Sequence, residues 1–280
     1  MLKVTSSIVS ADWLYQHFED ENLVILDASI PKVTNKDNST SKHKEFIKNA
    51  IFFDIKNEFS DKNSKFPNTV LSPVEFEKRV QSLGINTSSC LIVYDNLGLY
   101  SSARVWWMFQ LMGFKNIAVL DGGLPAWKAK NYPVKDFSST THTDGNFTAN
   151  FTANKLAFTT DVLENLNSNN FLVVDARSEG RFFAREPEPR KELKGGHIPK
   201  SKNLPYTKVL KENFIKSTDD LRVILNEINP KNKPIIFSCG SGITASILAL
   251  AANIIGKKDC AVYDGSWTEW GSTPNLPINT

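Results

Sequence analysis

The chain has 280 residues, 41% of them hydrophobic and 22% charged, a globular composition long enough for one large domain or two of ordinary size. Its formal charge of +3, spread along the chain, is too small to point to nucleic acid as the partner. No stretch approaches the roughly 18 apolar residues of a membrane span, and the start, MLKVTSSIVSADWLYQHFED, carries no secretory apolar run. Three widely spaced cysteines, Cys90, Cys239 and Cys260, form neither a CxxC pair nor a metal-ligand cluster. A cytoplasmic protein with free thiols, away from membranes and without a metal or organic cofactor, is expected.

In chain order, β-branched runs at 24–27, 92–94 and 118–120 read as short buried strands, with a helical stretch at 101–112 between the last two. A polar Ser/Thr/Asn-rich run follows and reads as a linker over 138–154. The pattern then repeats: strands at 173–175, 235–237 and 261–263, with a helix at 244–255. The copies match in sequence as well. NLVILDASI answers FLVVDARSE, LIVYDNLGLYSSARVWW answers IIFSCGSGITASILAL, and AVLDGGLPAW answers AVYDGSWTEW, at a spacing of about 145 residues. Two tandem domains are expected, 1–137 and 155–280, each a mostly parallel sheet with helices on both faces. In such sheets ligands bind beyond the carboxyl ends of the strands.

Cys239 stands at that kind of place, at the head of the loop Cys239-Gly240-Ser241-Gly242-Ile243-Thr244-Ala245. Backbone N–H groups of such a loop, at the positive end of a helix, form an anion cradle. Gly240 and Gly242 are expected to take unusual backbone angles, and Ser241 and Thr244 to add hydroxyl donors. A thiol held there is expected to be a thiolate. Spacing excludes two chemistries: a phosphatase loop needs Arg where Ala245 stands, and a serine-hydrolase elbow needs Gly-x-Ser-x-Gly. The matching position of the first copy is Asp95, so the thiol is missing there. Its loop, Asn96-Leu97-Gly98-Leu99-Tyr100, has one glycine and two bulky apolar residues and is not expected to form the same cradle.

The paired halves, the Asp-Ala strands, the Gly-His-Ile-Pro segment at 196–199, the loop and VYDGSWTEWG resemble the two-domain rhodanese superfamily over roughly residues 8–275. CGSGITA closely resembles the CGSGVTA loop of its 3-mercaptopyruvate sulfurtransferases. The resemblance implies a catalytic second domain behind a non-catalytic first. Cys239 would take sulfane sulfur as a persulfide, with Ser241 assisting, and pass it to thioredoxin, a small thiol or cyanide. It also implies that Arg181 and Arg190, in GRF…EPEPR, bind the carboxylate of 3-mercaptopyruvate. Arg177, next to its strand, is expected to make a structural ion pair. The family's first-copy histidine, proposed for a proton relay with the loop serine, falls on Phe46, with His43 three residues away. His197 is expected to pack, and Cys90 and Cys260 to be bystanders. A thiosulfate sulfurtransferase and a silent docking module are the alternatives.

Overall fold

The computed structural model describes residues 1–33, 45–135 and 143–280; His43 and positions 138–142 of the expected linker lie outside them. The chain forms two compact units, Met1–Ser60 with Leu71–Phe151, and Asp61–Val70 with Thr152–Thr280.

In the first unit the strands are β1 (Ile8–Val9), β2 (Leu23–Asp27), β3 (Phe46–Ile47), β4 (Ile51–Phe52), β5 (Cys90–Tyr94), β6 (Ile117–Leu120) and β7 (Val134–Lys135). Five of them make one parallel sheet in the order β1-β6-β5-β2-β4, and β3 and β7 pair as a small antiparallel ladder. The central strand β5 is buried along its whole length, as a strand covered on both faces must be. Alternation sends Ile25, Ile92, Tyr94, Ala118 and Leu120 to one face. There they pack with Ala11 and Leu14 of α1 (Ala11–Gln16) and with Leu124 and Trp127 of α4 (Gly123–Ala129). From α2 (Pro73–Ser82) and α3 (Ser102–Leu111), Phe76 and Phe109 join Phe53, Phe59, Phe114 and Phe147 in a separate aromatic cluster.

The second unit repeats the plan with β8 (Leu156–Ala157), β9 (Leu172–Asp175), β10 (Lys202–Asn203), β13 (Ile235–Ser238) and β14 (Cys260–Tyr263). Its order, β8-β14-β13-β9-β10, is the first unit's order strand for strand, again parallel. A hairpin of β11 (Leu210–Lys211) and β12 (Phe214–Ile215) is added. The helices are α5 (Thr159–Ser168), α6 (Glu179–Phe182), α7 (Thr218–Ile228), α8 (Ala245–Ile254) and α9 (Ser266–Trp270). Even the anchoring of the last helix is duplicated. Trp127 Nε1 donates to the Pro133 carbonyl, and Trp270 Nε1 to that of Pro277, each at 2.9 Å. Among the described residues no helix is long and apolar enough to cross a membrane.

Candidate active site

The first unit shows what the strand–loop–helix turn does to an anion. Asp95 follows β5 and is fully buried. Its Oδ2 accepts the N–H groups of Tyr100, Ser101 and Ser102 at 2.7, 2.9 and 2.9 Å and the Ser102 hydroxyl at 2.7 Å. Oδ1 accepts the Leu97 N–H at 2.9 Å. Ser101, the N-cap of α3, makes no side-chain cap of its own; the carboxylate takes up the helix's unpaired amides instead. The loop, not expected to form the same cradle as that of the second copy, does wrap a carboxylate of its own. Donors are backbone groups, so Leu97 and Leu99 do not obstruct them, and Gly98 supplies the required turn at φ 101.

The second loop is its counterpart, with Cys239 at the position of Asp95 and Gly242, at φ 79, at that of Gly98. The amides corresponding to those of Tyr100, Ser101 and Ser102 are Thr244, Ala245 and Ser246, at the start of α8; the Ser246 N–H donates to the Ile243 carbonyl at 3.2 Å, and the N-cap Thr244 makes no side-chain cap. Cys239 is buried and pinned on both sides of its peptide: its N–H donates to Ser266 Oγ at 3.2 Å, and its carbonyl accepts Trp267 N–H at 2.9 Å. The Gly240 carbonyl accepts both the N–H and the hydroxyl of Thr268, at 2.9 and 2.6 Å. Thus α9 holds the floor of the loop, and α8 begins at its far end. Ile243 and Ala245 are buried, and Ser246 Oγ donates to the Gly242 carbonyl at 2.9 Å, closing the turn.

Only one of the two loop glycines is there for its angles. Gly240 is absent from the left-handed region, and a Cβ at that position would stand 3.2 Å from Arg181 Nη2. That contact also places the Arg181 guanidinium beside the loop. Arg190 arrives from another direction, its Nη1 donating to Thr268 Oγ1 at 3.2 Å. Burial pulls the Arg190 pKa below its ordinary value; Arg181 also lowers it, while Glu192, Glu188 and Cys239 oppose the shift. Both sequence-predicted arginines therefore converge on Gly240 and Thr268.

A buried carboxylate fixes this arrangement. Glu188 accepts Arg181 Nη2 at 2.6 Å through Oε2 and Arg177 Nη1 at 2.8 Å through Oε1. Arg177 itself is buried, bonds Asp175 Oδ2 through Nη2 at 2.7 Å and lies over the Trp267 ring at 4.3 Å. It makes the structural ion pair expected of it. His197 stacks on Phe182 at 3.9 Å and donates from Nδ1 to the Phe182 carbonyl at 2.9 Å, a packing role. Burial raises the Cys90 thiol to about 11 and the Cys260 thiol to about 12.

One residue beside the loop is invisible to sequence reasoning. Asn68, in the Asp61–Val70 segment of the second unit, donates from Nδ2 to Ser241 Oγ at 2.9 Å. Phe46, to which the missing histidine was assigned, is a buried residue of β3 in the first unit. The side chain bonded to the loop serine is an amide brought in from a polar turn, and no local pattern marks it.

These features define a duplicated α/β protein in which one strand–loop–helix turn wraps a fixed carboxylate and its counterpart carries a buried thiol, with two arginines beside that loop. The chain belongs to the rhodanese family: the rhodanese-like domain matches twice, at residues 10–130 and 158–273. The 3-mercaptopyruvate sulfurtransferase of Escherichia coli strain K12 is 35% identical over 98% of both chains. The thiosulfate sulfurtransferase of Cricetulus griseus is 37% identical, over 94% of this chain and 91% of that protein. The crystal structure of the 3-mercaptopyruvate sulfotransferase SseA from Escherichia coli superposes with a TM-score of 0.84 at 34% identity, covering 94% of this chain and 99% of that one.

Proposed function

We propose that this chain is a sulfurtransferase that moves sulfane sulfur from 3-mercaptopyruvate through a persulfide on Cys239. The Cys239 thiolate attacks the donor's sulfur, the C–S bond breaks, and its electron pair leaves on carbon as the enolate of pyruvate. The donor's thiol proton ends on the methyl group of pyruvate, and the outer sulfur stays on Cys239 as an anion. The amides of Thr244 and Ala245 hold that anion, as their counterparts Tyr100 and Ser101 hold Asp95. Arg181 and Arg190 take the donor's carboxylate, and Ser241 faces its ketone oxygen. Thioredoxin, a small thiol or cyanide then removes the outer sulfur, in a cytoplasmic setting suited to three free thiols. In this reading, 155–280 is the catalytic domain, joined through 138–154 to a non-catalytic 1–137.

The observation that carries the donor choice is the convergence of Arg181 and Arg190 on a loop whose own side chains are neutral. Thiosulfate, a compact dianion, is better served by positive charge inside the loop, where Ser241 and Gly242 stand. Identity alone does not separate the two donors, since relatives bearing both names lie within a few per cent of each other. The test is a pair of measurements. Donor treatment adds one sulfur mass to Cys239, and kcat/KM favours 3-mercaptopyruvate over thiosulfate. Arg181→Ala or Arg190→Ala lowers kcat/KM for 3-mercaptopyruvate roughly ten- to a hundredfold. A preference for thiosulfate, with neither arginine variant altering 3-mercaptopyruvate kinetics, overturns the donor. Absence of any sulfur on Cys239 favours the docking module.

A further inference from the structure

We infer that Asn68 is a positioning residue that turns the Ser241 hydroxyl into a fixed forward donor, and that the site works without a proton relay through that serine. The inference rests on the function proposed above. The Asn68 amide reaches two oxygens of one residue, Ser241 Oγ at 2.9 Å and the Ser241 carbonyl at 3.5 Å. A carbonyl oxygen only accepts, so the group turned toward Ser241 is the NH2 of the amide. Ser241 Oγ is then an acceptor from Asn68, and its single proton is directed away from that side chain. An amide neither takes nor releases a proton in the working pH range, so Asn68 cannot serve as a base for Ser241. What it does is hold the hydroxyl oxygen in place.

The turn that carries Asn68 is built to hold it still. Asp61 N–H donates to the Thr69 carbonyl at 2.8 Å, and the Ser64 and Thr69 hydroxyls bond at 2.7 Å. Thr69 Oγ1 donates to the Phe66 carbonyl at 3.0 Å, and Val70 N–H is tied to Asp264 Oδ2, just past β14, at 2.9 Å. Asn68 itself takes φ 62, the left-handed conformation that asparagine tolerates better than most residues. Both Asn68 and Ser241 are buried, so their bond is shielded from competing water. Charge develops on the ketone oxygen of 3-mercaptopyruvate as the C–S bond breaks, and a preoriented hydroxyl proton stabilises it without reorganisation. Thiosulfate releases sulfite and develops no enolate, so it has less use for this donor.

The full-length chain is assayed with both donors as Asn68→Ala, Asn68→Asp and Asn68→His, with thermal unfolding as the check on folding. Asn68→Ala is expected to lower kcat for 3-mercaptopyruvate roughly tenfold with little change in KM, and to change thiosulfate turnover by less than about threefold. Asn68→Asp, nearly isosteric but unable to donate when ionised, is expected to lose at least as much. Asn68→His puts a titrating group on Ser241, so its activity relative to wild type should vary with pH around about 6.5. Unchanged 3-mercaptopyruvate kinetics in the Ala and Asp variants overturns the inference. So do equal losses with both donors, the signature of a structural role, and a pH-independent ratio for the His variant. In each case the wild-type chain still releases pyruvate, which separates these failures from that of the proposed function. A wild-type chain that releases none sinks both.

Discussion

Cys239 differs from Cys90 in what surrounds it rather than in burial, since both are buried, whereas Cys260 is only partly so. Cys90 opens the central strand of the first sheet, where desolvation and then the charge of Asp20 push it up to about 11. Cys260 is pushed up to about 12, again mainly by burial. At neutral pH both are uncharged thiols and poor nucleophiles. Cys239→Ser is therefore expected to abolish sulfur transfer while leaving thermal unfolding almost unchanged, and Cys90→Ala and Cys260→Ser to keep most of the turnover. Residual turnover in the Cys239 variant would falsify the persulfide route. The raised Cys90 value has a second consequence. Above pH 9 the unfolded chain ionises this thiol while the folded chain keeps its proton, so the unfolded state is favoured. The contribution is whole below pH 9 and is lost as pH rises toward about 11. In urea unfolding, Cys90→Ala should flatten part of the wild-type decline across that interval. At this scale Cys239 was legible because a strand, two glycines and a helix flank it in sequence. Asn68 was not, because an asparagine in a polar turn looks the same whether it faces water or a serine.

The strands were readable as elements because buried parallel strands are continuous apolar runs; those at 24–27, 92–94 and 118–120, and their partners, lie within observed strands. Two-residue strands such as β4 and β10 carry no periodicity and went unread. The arginine-bearing segment was half legible. Its motif pointed to Arg181 and Arg190, but the carboxylate that orders it, Glu188, sits in a run of alternating charges that reads as solvated surface. In the structure this segment ties the end of β9 to α6, with Arg177 on Asp175 and Glu188, and Arg181 on Glu188. Ser178, the N-cap of α6, accepts the Arg181 N–H at 3.4 Å and so fixes the backbone from which the guanidinium extends. Glu188→Gln removes the charge shared by two cations, one of them fully buried. Breaking buried pairs of this kind costs about 3–5 kcal/mol. A lower denaturation midpoint is expected, together with a KM for 3-mercaptopyruvate that rises more than kcat falls, because Arg181 loses its orientation. A drop in stability with unchanged KM would mean that Arg181 is not held by Glu188 for the donor.

For the whole molecule, the duplication was legible from matched segments, and the identical strand order of the two sheets is its physical form. What the repeat could not show is that the compact units depart from the order of the chain. Residues 61–70 lie in the first copy by sequence and in the second unit by packing. They bring Asn68 to Ser241 and tie Val70 to Asp264. In the proposed function the second copy therefore contains the thiol and both arginines, while the side chain bonded to the loop serine comes from the first copy's sequence. A chain of residues 152–280 alone is expected to keep the sheet β8-β14-β13-β9-β10 but to leave the loop serine without its amide. Losing that bond should lower kcat/KM for 3-mercaptopyruvate at least roughly tenfold relative to the full chain, and unfolding should come at a lower denaturant concentration. Grafting 61–70 onto the fragment through a flexible linker should recover part of both, whereas the same graft carrying Asn68→Ala should recover stability without the turnover. If the bare fragment turns over like the full chain, the 61–70 segment is passive packing, and the first copy has no part in the chemistry of the second.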